Sequence, residues 1–161
     1  LTDEELKNSI TETIENLKDI CENDVQILFT VSPVRHTKDG ITENQLSKSK
    51  LICALHETLP HFENCHYLPI YEIMMDDLRD YRFYKEDLIH PNNQAIQYIW
   101  EKFGNAYFSE EVKDFITENY KIKAALEHRP NDEKSPKYLE FLEKLKEKIA
   151  LQQQKVKHKI F

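Results

Sequence analysis

The run Val25-Gln26-Ile27-Leu28-Phe29-Thr30-Val31 constrains this chain more than any other feature. It is rich in β-branched and aromatic residues and apolar nearly throughout, so it reads as a buried strand of a parallel sheet. A polar loop follows, Ser32-Pro33-Val34-Arg35-His36-Thr37-Lys38-Asp39-Gly40. The spacing then predicts a helix over residues 42–59, with Leu46, Leu51, Ala54 and Leu55 facing inward and Pro60 ending it. Residues 65–70 read as the next strand. Strand, helix and strand within about 45 residues make a βαβ unit. In such sheets ligands gather at the carboxyl ends of the strands. That singles out the loop after Val31 and the segment after Ile70.

Helices flank this unit. Thr2 and Glu5 form a capping box that opens a helix. Leu6, Ile10, Ile14, Leu17 and Ile20 make its apolar stripe, and it is expected to end near Glu22-Asn23-Asp24. Residues 74–78 read as a short helix and residues 80–89 as an irregular, aromatic-rich stretch. Pro91 suits the first turn of a further helix, with Ala95, Ile96, Ile99, Trp100 and Phe103 as its inner face. Gly104 is expected to cap that helix in the left-handed region. Another helix starts at Ser109 and turns Val112, Phe115 and Ile116 inward. Arg129-Pro130-Asn131-Asp132 breaks the pattern, and Ser135-Pro136 restarts it. Tyr138, Leu142, Leu145, Ile149 and Val156 then form a short heptad seam. It suits either docking on the chain's own domain or self-association into a homo-oligomer through residues 135–157.

Charge and composition exclude several function classes. The net charge is −7. Residues 130–161 hold eight Lys against five acids, so the first 129 residues carry 14 basic and 24 acidic side chains, a balance of −10. An acidic body repels phosphate backbones, which argues against a nucleic-acid partner. With only Gly40 and Gly104 there is no Gly-rich phosphate loop. No apolar run is long enough to span a bilayer. Cys21, Cys53 and Cys65 are an odd, unpatterned set, which fits a reducing compartment and a cytoplasmic location. Among its apolar neighbours, Cys53 is expected to be buried. His56, His61, Cys65 and His66 lack the spacing of a zinc site, so no metal and no cofactor are expected. Asp76, Asp77 and Asp80 lack the calcium-loop pattern and read as a solvated face.

The sharpest chemical signal is Glu86-Asp87-Leu88-Ile89-His90-Pro91-Asn92. An Asp and a His three apart on one turn can set a carboxylate against one ring nitrogen while the other faces outward. That is the orienting and base half of a nucleophilic triad. Arg35 and His36, at a strand's carboxyl end, are the candidate substrate-binding pair. Glu72 is expected to hold the Arg79/Arg82 region in place before His90.

Five segments in order carry a family resemblance. They are Leu28-Phe29-Thr30-Val31-Ser32-Pro33-Val34-Arg35-His36, Asp39-Gly40-Ile41-Thr42-Glu43-Asn44-Gln45, Pro69-Ile70-Tyr71-Glu72-Ile73-Met74, Asp77-Leu78-Arg79-Asp80-Tyr81-Arg82-Phe83-Tyr84, and the Asp87 to Asn92 block. Together they resemble the GSCFA family of the SGNH (GDSL-type) hydrolase clan, from roughly Thr2 to Phe103 and at the widest to Glu127. The resemblance implies a partial three-layer α/β/α fold, SGNH or flavodoxin-like, with parallel strands and C-terminal helices. The implied division is an α/β domain over residues 1–128 and a helical extension over 129–161. It also implies a serine-type esterase or acyl hydrolase acting on a small-molecule or glycan ester, with Asp87 and His90 catalytic.

The Gly-Ser-Cys-Phe-Ala motif that names the family has no counterpart here, and the chain opens on Leu1 rather than Met. The expectation is therefore a C-terminal part whose nucleophile lies upstream of residue 1. Ser32 is a poor substitute, because Pro33 has no N–H to offer an oxyanion. The competing expectation is a non-catalytic binding or assembly module that uses the C-terminal helix.

Overall fold

The computed structural model describes residues 1–21, 25–130, 132 and 134–161. The expected helix end at Glu22-Asn23-Asp24, and Asn131 in the expected break, lie outside these residues. Helix α1 (Asp3–Ile20) opens on the Thr2/Glu5 capping box, strand β1 spans Ile27–Phe29, and helix α2 spans Ile41–Thr58. Strand β2 (Cys65–Tyr67) pairs parallel with β1, Ile27 opposite Cys65 and Phe29 opposite Tyr67. The βαβ reading is thus the observed one. The strands are shorter than expected, and β1 is half-buried rather than enclosed on both faces, because among the described residues its only ladder is with β2.

The chain divides into two compact units, Leu1–Glu101 and Lys102–Phe161. In the first, Ile14 of α1 packs with Val31, Leu55, Leu59, Cys65 and Tyr71 around the short sheet. Burying such a side chain contributes roughly 1.5–3 kcal/mol. The α1 stripe runs out at its end, where Ile20 is exposed. Helical phase corrects two expectations for α2. Leu46 is exposed, since nine residues of helix set it about 180° from buried Leu55. Cys53 is exposed as well, two residues out of phase with Leu55, and the buried thiol is Cys65. Lys48, in phase with Leu51 and Leu55, is buried instead.

After β2 comes a single α-turn, α3 (Ile70–Glu72), and then a π-turn over Ile73–Asp77 closed by Leu78 N–H on the Ile73 carbonyl. The extra residue turns Met74 and Leu78 into a second core cluster with Tyr84 and Ala95. Helix α4 (Asn93–Tyr107) starts later than expected. Pro91 is bridged antiparallel to Tyr84, and Asn92 caps the helix by accepting from Ala95 N–H at 3.1 Å. On α4, Ala95, Tyr98 and Ile99 face this cluster while Ile96 and Trp100 are exposed.

In the second unit Gly104 lies inside α4 rather than capping it. A Cβ there would meet the Phe108 ring at 3.1 Å, so the missing side chain admits that ring. Helices α5 (Glu110–Glu127) and α6 (Pro136–Gln153) begin at Ser109 and Ser135, whose hydroxyls accept from Val112 and Tyr138 N–H. They run antiparallel: buried Gln152 donates to the Phe115 carbonyl and Asn119 Oδ1, Lys148 pairs with Glu118, and Phe141 meets His128. Of the inner face expected on α5, Phe115 and Ile116 are half-buried and Val112 is exposed; Ile122 is the buried residue. The seam of α6 is at least half-buried, Leu145 fully so. Among the described residues no helix is long and apolar enough to cross a membrane.

Candidate active site

The Asp87–His90 turn sits in a loop whose stem is closed by backbone bonds. Lys85 N–H donates to the His90 carbonyl, and Asn92 N–H to the Phe83 carbonyl. Asn92 Nδ2 adds bonds to the carbonyls of Arg82 and Tyr84. One side chain therefore both caps α4 and fixes the loop before it. Inside the stem Leu88 adopts φ +56°, in the left-handed region that costs a branched side chain about 1–2 kcal/mol. Such strain persists only where the surroundings over-determine it.

Those surroundings are specific. Asp87 Oδ1 accepts from the backbone N–H of Ile89 (2.8 Å) and His90 (3.0 Å), and Oδ2 lies 2.8 Å from His90 Nδ1. The two backbone donors, His90 first, and then the ring hold the Asp87 carboxyl well below the usual carboxylate range. A carboxylate only accepts, so Nδ1 must carry the proton and the neutral ring keeps its lone pair on Nε2. The His90 side chain is 53% exposed and the Asp87 side chain 43%, so the pair is open to a reacting group.

Arg35 is turned onto this loop. Its backbone N–H donates to the Ile89 carbonyl and its Nη1 to the Leu88 carbonyl, both at 3.2 Å. The guanidinium lies 4.3 Å from the Tyr84 ring centroid and 5.2 Å from that of Tyr81. These contacts make it a clamp on the strained turn, although it also lines the neighbouring cavity. His36 is exposed, and its backbone N–H donates to Asn44 Oδ1 at the start of α2. The Ser32 hydroxyl accepts from Val34 N–H within its own turn. Glu72 does not reach the arginines: it accepts from the Tyr67 hydroxyl at 2.9 and 3.0 Å, while Arg79 pairs with Asp76 and Arg82 with Asp80. Burial, then that bond to Glu72, raises the Tyr67 phenol.

Of the His and Cys residues weighed for metal, His66 pairs with Gln26, His56 lies tilted against the Tyr67 ring, and Cys65 is in the core. Among the described residues no group of three or more His, Cys, Asp or Glu could hold a metal ion.

The family model described as GSCFA family matches residues 1–103. The chain belongs to the GSCFA family. A second model, GSCFA domain protein, C-terminal domain, matches residues 120–160 of this GSCFA chain, the span of α6 and the second half of α5. Comparison with the curated proteins and with the solved structures found no match.

In this GSCFA chain Lys48, buried and lining the cavity beside Asp87, was not singled out from the sequence; the available signal is the helical phase it shares with Leu51 and Leu55.

Proposed function

We propose that this chain supplies the Asp-His half of a serine-type esterase or acyl hydrolase of the SGNH clan, as part of a three-layer α/β/α domain. The nucleophile would come from sequence preceding Leu1. The observation that carries the reading is the 2.8 Å contact of His90 Nδ1 with an Asp87 carboxylate whose other oxygen is fixed by two backbone N–H groups. That arrangement orients the imidazole and leaves Nε2 as the base. Nε2 takes the serine proton as its oxygen attacks the ester carbonyl, Asp87 stabilises the charge gained, and the proton then passes to the leaving alkoxide. The substrate would be a small-molecule or glycan ester. Three unpaired cysteines support a cytoplasmic setting.

The test is hydrolysis of p-nitrophenyl esters by the complete parent protein. His90→Ala should lower kcat by about three orders of magnitude or more while circular dichroism stays unchanged. In Asp87→Asn an amide facing Nδ1 would donate, forcing the proton onto Nε2 and removing the base. An unchanged kcat in both variants would end the hydrolase reading.

A further inference from the structure

A cavity of about 410 Å³ in the first unit has the catalytic turn as one wall, through Asp87 and Leu88. Tyr71, Met75, Gln45 and Lys48 are among its other lining residues. Lys48 is 8% exposed. Its ammonium donates to the Ser32 carbonyl at 2.6 Å and lies 5.8 Å from the Tyr71 ring centroid. An ammonium has three N–H donors, and among the described residues this one forms no ion pair. A buried charge lacking a counter-charge is costly, and burial accordingly pushes the Lys48 amine down. Gln45 is exposed and also lines the cavity; its Oε1 accepts from the Tyr71 hydroxyl at 2.8 Å, so its Nε2 can turn from water to a ligand. Asp87 also lines the cavity, but no ion pair joins it to Lys48: its oxygens lie against the Ile89 and His90 N–H groups and the His90 ring, while the ammonium meets the Ser32 carbonyl.

We infer that this cavity binds a small-molecule carboxylate, with Lys48 as counter-ion, Gln45 Nε2 as second donor, and Met75, Leu88 and the Tyr71 ring against its apolar stem. A buried ammonium beside an open, largely apolar cavity asks for an oxyanion at one end of a hydrocarbon ligand. Resting on the hydrolase reading, this extends it: the substrate becomes an ester that also bears a carboxylate, which fills this cavity while the ester lies toward His90. The binding step itself does not need that reading.

The probes are sodium hexanoate and hexan-1-ol, equal in carbon number, titrated into the full 161-residue chain. Methyl signals of Met75 and Leu88 report by NMR. Hexanoate should bind about tenfold or more tighter than hexanol, and this preference should disappear in Lys48→Met. Equal binding of the two probes, no binding of hexanoate, or a folded Lys48→Met chain that still prefers hexanoate would each overturn the inference. The comparison of probes in the unaltered chain decides even if the variant fails to fold. Hexanoate binding together with an inert parent enzyme would refute the hydrolase reading and leave the carboxylate site standing.

Discussion

At the scale of single residues, Asp87 is the most heavily used side chain of the site. Its two oxygens hold two backbone N–H groups and one ring, so it folds the turn and sets the tautomer together. The sign of its pH dependence follows from the depressed carboxyl. A group whose folded pKa lies below its unfolded one stabilises above the unfolded value, near 4 for Asp, and loses that contribution as pH falls through the folded pKa. Urea midpoints of the chain and of Asp87→Ala, taken from pH 6 down to pH 2, should therefore differ most at pH 6 and converge in acid. A difference constant with pH would mean the carboxylate contributes nothing through its charge. The Asp-x-x-His pair was legible in the sequence because its chemistry is local, three residues on one turn. Arg35 was legible only as a position. Its contacts with Leu88, Ile89, Tyr81 and Tyr84 span about fifty residues of chain, and no periodicity encodes them.

At the scale of elements, caps and helical phase governed what could be read. Thr2, Ser109 and Ser135 each open a helix where their type and spacing indicated. Pro91 did not, because Asn92 supplies the cap. The antiparallel bridge of Pro91 to Tyr84 is made by flanking residues, Lys85 N–H on the His90 carbonyl and Asn92 N–H on the Phe83 carbonyl, so the missing proline N–H costs nothing there. The α6 seam shows how a pattern can be correct while its partner stays open. Tyr138, Leu142, Leu145 and Ile149 are all at least half-buried, and α6 packs on α5 of the same chain, with Phe141, Lys148 and Gln152 making its polar and ring contacts. Leu145→Ala should accordingly cost about 2–5 kcal/mol, seen as earlier loss of helical circular dichroism on heating. A change within about 0.5 kcal/mol would mean that α6 does not depend on this packing. Gln152 fixes the register of the pair, since its amide reaches the Phe115 carbonyl only when α5 and α6 are aligned as observed.

At the scale of the whole molecule, charge and topology answer different questions. The first 129 residues carry the −10 balance and the last 32 carry +3. The chain should consequently show no fluorescence-anisotropy response to duplex DNA at 0.15 M salt up to roughly 10⁻⁴ M, the weak end of non-specific binding. Saturable binding below that range would mean that the basic C-terminal stretch acts apart from the acidic remainder. The sequence by itself determined the order of elements, the parallel βαβ core, the capped helices and the Asp87–His90 pair. Each of these follows from local backbone preference or from apolar periodicity, which act over a few residues. Tertiary structure alone decided that Lys48 is buried, that Arg35 clamps the turn, that Glu72 answers Tyr67 rather than an arginine, and that a cavity opens beside Asp87. Those outcomes depend on which distant surfaces meet when the strands pair and the helices pack. A buried cation in helical phase with leucines looks, along the chain, like any solvated lysine.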